Sequence, residues 1–301
     1  MNLKAAILGL AIAIILWAGY AVYAAYTLHP QLSAQWGYVD EKTTEIWLDA
    51  ELSKPLLVPA SISNLTIEFM GVPIAEAERF DYSPTGRNAR LALAVDNKNL
   101  VRALVKYFES GQRGTVNVAL RGKLLGVIPI NTDIHQEISE NILGYLNLSA
   151  ESKDVAGGLV KTPALVGTTF DWVGEEGGNA VLTAHIKLYN PNGFAIPVGN
   201  ISFEIQANDI KVGHGKTTKG VVIPAKGYAT VDVKTYIEED SLPKVWATHI
   251  RNGEVSKVKA DVFLDMTFMK QSYRIKLASY EESVETDIMG ELNSMLNEAF
   301  G

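Results

Sequence analysis

The chain contains no cysteine, which excludes a disulfide framework, a thiolate zinc site, an iron–sulfur cluster and a cysteine nucleophile. It also removes the clue to redox compartment that cysteine usage gives. Basic runs are missing as well. Lys and Arg number 27 against 34 Asp and Glu, a formal net charge of −7. Neutralising a phosphate backbone needs clustered cations, so no nucleic acid partner is expected. The histidines, His29, His135, His185, His214 and His249, are scattered, and none pairs with another at metal-ligand spacing. There is no Gly-x-Ser-x-Gly elbow. The string GHGKTT at Gly213 has Ile210 where a phosphate loop needs its first glycine, and it reads as a turn between strands. The acidic runs Glu175-Glu176, Glu238-Glu239-Asp240 and Glu281-Glu282 read as wet surface. No catalytic, cofactor-binding or metal-binding residue emerges, so the expectation is a protein without cofactor that is not an enzyme.

What is present is enough apolar material for two cores, 47% of 301 residues. The run from Ala5 to Tyr26 carries no charge, and at about 1.5 Å per residue it covers a hydrocarbon core of roughly 30 Å. Lys4 precedes it and the next basic residue is Lys42, so the positive-inside rule puts the N-terminus in the cytoplasm. Residues 1–28 are therefore expected to be a signal anchor that meets the bilayer through residues 5–26. The expected location is a single-pass protein of the cell membrane with the bulk of the chain outside the cytoplasm. A cleaved signal peptide, with Val22, Tyr23 and Ala24 at the cleavage site, is the competing reading.

The remainder repeats itself. SNLTIEFMGVPIAEA from Ser63 aligns without gaps on GNISFEIQANDIKVG from Gly199, each alternating around a short turn. LVRALVKYFESG from Leu100 matches LPKVWATHIRNG from Leu242, two short helices closed by Gly111 and Gly253. TDIHQEISENILGYL from Thr132 resembles TDIMGELNSMLNEAF from Thr286, which predicts a terminal amphipathic helix in each copy. In the first, Ile138, Ile142, Leu143 and Leu146 follow one face. In the second, Val284, Ile288, Leu292, Met295, Leu296 and Phe300 do, either packed on their own domain or poised over a groove or a neighbouring copy. The predicted class is mainly β: two antiparallel β-sandwich domains, 29–150 and 151–301, each with a short helix and a terminal helix, joined through the polar SAESKDVAGG.

The stretch from Tyr189 to Val233 resembles the late-embryogenesis-abundant group-two domain, also called the water-stress and hypersensitive-response (WHy) domain. The resemblance rests on Asn190-Pro191-Asn192 ending a strand, on Ile196-Pro197-Val198, on the hairpin through Asn208-Asp209 and on Ile223-Pro224-Ala225. In the first copy Lys54-Pro55 replaces the asparagine-proline element, while Val58-Pro59 and Asn64-Leu65 are retained. The resemblance implies a fibronectin-like sandwich, no catalysis, and a part in desiccation or stress protection, with an apolar ligand or lipid as one partner. Self-association or assembly with another envelope protein, through sandwich edges and terminal helices, is the alternative. Sequons at Asn64, Asn147 and Asn200 are candidate glycosylation sites in such an exterior location.

Overall fold

The computed structural model describes residues 31–300 apart from positions 54, 56–58, 125, 140, 142, 144–148, 156–159, 218 and 269–270. The apolar run 5–26, His29 and the Asn147 sequon lie outside the described residues. Among those described, no helix is long and apolar enough to cross a membrane. Antiparallel sheets form sandwich-like domains, and the chain divides into two compact units. One takes Met1–Glu140 with Trp246–Glu254 and Thr286–Gly301; the other takes Asn141–Val245 with Val255–Glu285.

The first unit contains β1 (Gln31–Val39), β2 (Thr43–Glu51), β3 (Ala60–Phe69), β4 (Val72–Tyr82), β5 (Asn88–Asp96), helix α1 (Asn97–Glu109), β6 (Arg113–Leu124) and β7 (Ile128–Ser139). Its sheet runs β1-β2-β5-β4-β3-β6-β7. Alternation dictates which face is buried: Ile46, Leu48 and Ala50 of β2, Leu65, Ile67 and Phe69 of β3, and Val116, Val118 and Leu120 of β6 all point inward. The β3–β4 hairpin turns through Met70 and Gly71 with φ of 53° and 70°, the conformation a two-residue turn needs. Asp96 caps α1 by accepting a hydrogen bond from the Asn99 amide at 2.8 Å, and Gly111 ends it at φ 71°. Tyr107 and Leu100 bury its apolar face.

The second unit contains β8 (Asp154–Val155), β9 (Val160–Lys161), β10 (Ala164–Glu175), β11 (Asn179–Tyr189), β12 (Ile196–Val198), β13 (Asn200–Ala207), β14 (Ile210–Thr217), β15 (Val221–Ile223), β16 (Tyr228–Glu238), β17 (Val255–Phe268) and β18 (Gln271–Glu285). Helix α2 (Leu242–Arg251) joins β16 to β17, and α3 (Ile288–Phe300) follows β18. The main sheet runs β10-β11-β16-β14-β13-β17-β18. Counting its seven strands in chain order, this is the same order as in the first unit, with a helix after the fifth strand in both. Beside it, β12 and β15 form a ribbon and β8 and β9 another, so the predicted linker is partly a small hairpin.

Three sequence expectations are corrected. From Thr132 to Ser139 the segment is not a helix but part of β7, paired with β6. Ile134 and Ile138 are four apart, a spacing shared by one helical turn and two strand periods, and the turn at Gly126, φ 72°, decides for the strand. Of the other residues on the predicted stripe, Leu143 is buried and positions 142 and 146 lie outside the described residues. GHGKT is not a turn but the body of β14. Its glycines admit neighbours: a Cβ on Gly215 would lie 2.5 Å from the Phe203 ring, and one on Gly213 2.6 Å from the Tyr236 carbonyl. The terminal helix predicted from Ser283 begins later, at Ile288, and Val284 belongs to β18.

Helix α3 packs on β1 within the first unit. Ile288 and Leu292 are buried, and Asn293 mimics a paired strand: the Ala34 amide donates to its Oδ1 at 2.7 Å and its Nδ2 donates to the Ala34 carbonyl at 3.0 Å. The helix start is held by Glu254, itself 7% exposed and at φ 65°. Its carboxylate accepts from the Trp36 indole at 3.0 Å, the Thr286 hydroxyl at 3.1 Å, the Met289 amide at 3.1 Å and the Ile288 amide. An anion at a helix N-terminus is the favoured placement. His249 lies 2.8 Å from the Thr286 hydroxyl, and burial pushes its imidazole pKa down, with the Glu254 charge opposing. Trp246 packs edge-on to Trp36 and donates to Thr44 at 2.9 Å. Glu254→Ala leaves four donors without their acceptor and is expected to cost about 3 kcal/mol. Urea unfolding followed by tryptophan fluorescence measures that loss, and an unchanged midpoint would mean the donors find replacements.

Candidate functional site

Strand β11 ends at Tyr189, and the next residue, Asn190, is fully buried. A buried amide costs free energy unless both its ends are hydrogen-bonded, and here both are. Its Nδ2 donates to the carbonyls of Phe194 at 2.7 Å, Pro224 at 3.1 Å and Ile223 at 3.3 Å. Its Oδ1 accepts from the Asn192 amide and from Asn192 Nδ2, both at 2.9 Å. Asn192 in turn reaches β9: its Nδ2 donates to the Lys161 carbonyl at 2.7 Å and its Oδ1 accepts the Lys161 amide at 2.8 Å. Lys226 adds a bond from its amide to the Asn192 carbonyl and one from its ammonium to the Pro191 carbonyl. Ile196 and Pro197 lie in the ribbon above, paired with Ile223 and Val222.

The family-motif residues Asn190, Pro191, Asn192, Ile196 and Pro197 are thus brought together, as a clasp that joins three chain segments. In the first unit the corresponding place after β2 is taken by Leu52, buried, whose amide donates to the Arg87 carbonyl at 2.7 Å. The Asn190 amide makes the same kind of bond, to Gly227, at 2.9 Å. The sequons are not part of the clasp. Asn64 and Asn200 are both exposed, Asn64 within β3 beside its register slip at Ile62/Asn64 and Asn200 as the first residue of β13.

Beside the clasp the sandwich has an apolar seam between β10, β11, β13 and β17. A cavity of about 60 Å³ is walled by Leu165, Phe170, Ile186, Phe203, Ile205 and Val262, with Thr168 and Glu151 its polar contacts. Sequence reading does not find it, because its lining comes from residues that alternation assigns simply to the core. Strand β10, at the edge of the sheet, slips register at Leu165/Gly167 and again at Trp172/Gly174, and Val166 and Val173 are left 43% and 57% exposed. In the first unit the depression over β3, β6 and β7 is different: about 380 Å³, open, and edged by Glu68, Asn117, Asp133 and His135.

A second feature absent from the sequence reading lies on the outer face of the second sheet. His185 sits between two carboxylates, Asp232 at 2.7 Å from Nδ1 and Asp171 at 3.0 Å from Nε2. The hydrogen bond to Asp232, then that to Asp171, raises the imidazole pKa above its ordinary value, against a smaller effect of burial. Among the described residues no group of three or more His, Asp or Glu is arranged to hold a metal ion.

The model of the late embryogenesis abundant protein family matches residues 185–278. That stretch, which holds Asn190, Pro191, Asn192, Pro224 and Lys226 of the clasp but not Lys161, is similar to a domain of the late-embryogenesis-abundant type. Among solved structures, a protein from Archaeoglobus fulgidus is 20% identical, with 41% of this chain and 98% of that one covered at a TM-score of 0.34. A protein from Arabidopsis thaliana studied in solution is 15% identical, with 45% and 91% covered at 0.30. No curated protein matches the sequence.

Two outcomes are expected. Asn190→Ala strands the partners on both sides of the amide and lowers stability by about 3 kcal/mol in chemical denaturation. For His185, whose folded pKa is raised, the stabilisation is complete below the unfolded value near 6.5 and is lost as pH rises through the folded value. NMR titration of the imidazole checks this, and Asp232→Asn should move the titration to lower pH.

Proposed function

We propose that this chain is a non-enzymatic binding and protective protein of the cell envelope, anchored by its N-terminal apolar run. In this reading the second unit takes an apolar ligand, such as a lipid chain, into the seam between β10 and β17. The observation that carries the reading is the seam itself, an apolar opening beside an edge strand that is hydrogen-bonded to β11 alone in its sheet. At about 60 Å³ it is far below the roughly 300 to 1,000 Å³ of established ligand pockets. A ligand therefore enters by displacing β10, whose two register slips and outward valines make it the least firmly held wall. The late-embryogenesis-abundant character of residues 185–278 supports placing this work in desiccation or stress protection. Assembly by strand addition is less favoured at β1, whose edge is occupied at Ala34 by Asn293, and at β10, which Ala150 bridges at Leu165.

A photoreactive phenylalanine analogue at position 170, in the full chain and in its own membrane, tests the reading. Irradiation is expected to give a lipid adduct identifiable by mass, and Ile205→Trp, which fills the seam, should reduce its yield. Adducts only to a second copy of the chain would turn the reading towards assembly.

A further inference from the structure

The chain is acidic overall, yet the clasp end of the second unit is not. Neither Gly177–Phe203 nor Ile210–Val231 contains a single Asp or Glu, and these two segments supply the ribbon, the loops around it and all of the clasp except its contact with β9. Lys187 and Lys226 project there, both exposed, Lys187 over the Tyr228 ring at 5.3 Å. No described acidic group forms an ion pair with either. Lys161, fixed to Asn192 through its backbone, shares Asp154 at 3.7 Å.

The same end displays apolar side chains that a solvated loop has no need to show. Phe194 is 50% exposed and Val222 62%. Val222 stands opposite Pro197 across the ribbon, with both facing outward while Val198 and Ile223 face the core. The clasp explains why Phe194 is out: Asn190 Nδ2 holds the Phe194 carbonyl inward at 2.7 Å, which fixes the loop while its side chain points away. A rigid tip of aromatic and aliphatic groups flanked by exposed lysines whose charge no described carboxylate neutralises, Lys226 resting on the Pro191 carbonyl and Lys187 over Tyr228, is complementary to one kind of surface, a bilayer with anionic headgroups, where the apolar groups enter the interface and the ammonium groups meet phosphate.

We propose that this tip, centred on Phe194, Val222, Lys187 and Lys226, docks on an anionic membrane surface. The site is separate from the seam and does not depend on its being filled. Each lysine at such a surface strengthens binding about fivefold, and seating a half-exposed phenylalanine contributes about another tenfold.

The absence of cysteine makes a clean test available. Gly193→Cys places a label next to Phe194 at a position where a Cβ meets nothing within 4 Å, and Thr85→Cys, exposed in the first unit, is the control. The full chain carrying an environment-sensitive dye is mixed with vesicles of phosphatidylcholine alone or with about one-third phosphatidylserine. The expected result is a blue shift at position 193 with anionic vesicles only, reversed by 1 M salt, where the screening length is about 3 Å. K187Q/K226Q should raise the lipid concentration at half-effect about 25-fold, and Phe194→Ser about tenfold. Four results would overturn the proposal: equal shifts with neutral vesicles, equal shifts at the control site, a shift with polyphosphate in place of lipid, or a shift that depends on protein concentration without vesicles.

Discussion

An amide buried away from water must find protein partners for every hydrogen-bonding atom, and Asn190 finds five, counting three acceptors and two donors. The geometry of the second unit at that end follows from this. The loop after β11 cannot drift, because its Phe194 carbonyl is bound. The turn before β16 cannot drift either, because the Pro224 carbonyl is bound by the same nitrogen. Asn192 then draws β9 to the assembly. Replacing such a centre by an apolar residue requires rebuilding the surroundings, and the first unit presents that alternative: Leu52 at the corresponding place and an arginine guanidinium, that of Arg87, donating to the Leu52 carbonyl at 2.9 Å.

The seam is a product of how a seven-stranded antiparallel sheet ends. A sheet of this order leaves two edge strands, and each edge must be paired, covered or distorted to avoid association with other strands. In the first unit β1 is covered at Ala34 by a side chain that imitates a strand. In the second, β10 is distorted by two slips and bridged at one residue, which leaves its apolar face incompletely sealed. The difference between a closed edge and a loosely closed one is the physical basis on which ligand entry is proposed for the second unit.

Much of this architecture was legible in the sequence. Alternation, the glycine stops at Gly111 and Gly253, and the repeated order of elements were enough for two antiparallel β units and for short helices after Leu100 and Leu242, though not for the fact that Trp246–Glu254 and the terminal helix belong to the first unit, and Asn190-Pro191-Asn192 stood out as a strand terminus. The gapless alignment of Ser63 on Gly199, however, sets Met70 against Gln206, whereas the turns show that Met70 corresponds to Asn208. A shift of two residues keeps every side chain on its original face, so the apolar pattern gives no warning of it. The error at Thr132 has a similar origin, since a spacing of four fits either period. The clasp's partners at Lys161 and Pro224 were not legible, because backbone carbonyls carry no sequence signature. Nor were the carboxylates on His185, which come from neighbouring strands whose register must be known first.

The hydrogen bonds between Ala34 and Asn293 join residues 259 positions apart. During synthesis, β1 emerges long before the helix that covers it, so the first sheet completes its backbone pairing with an uncovered edge strand and an indole at Trp36 that lacks its carboxylate. Sequence-distant closure of this kind is slow to form, since loop entropy is lost before the contact is gained. Until helix α3 is made, the edge of β1 at Ala34 and the Trp36 indole lack the partners they have in the folded first unit, an incomplete state of the kind that is open to chaperones and to strand pairing.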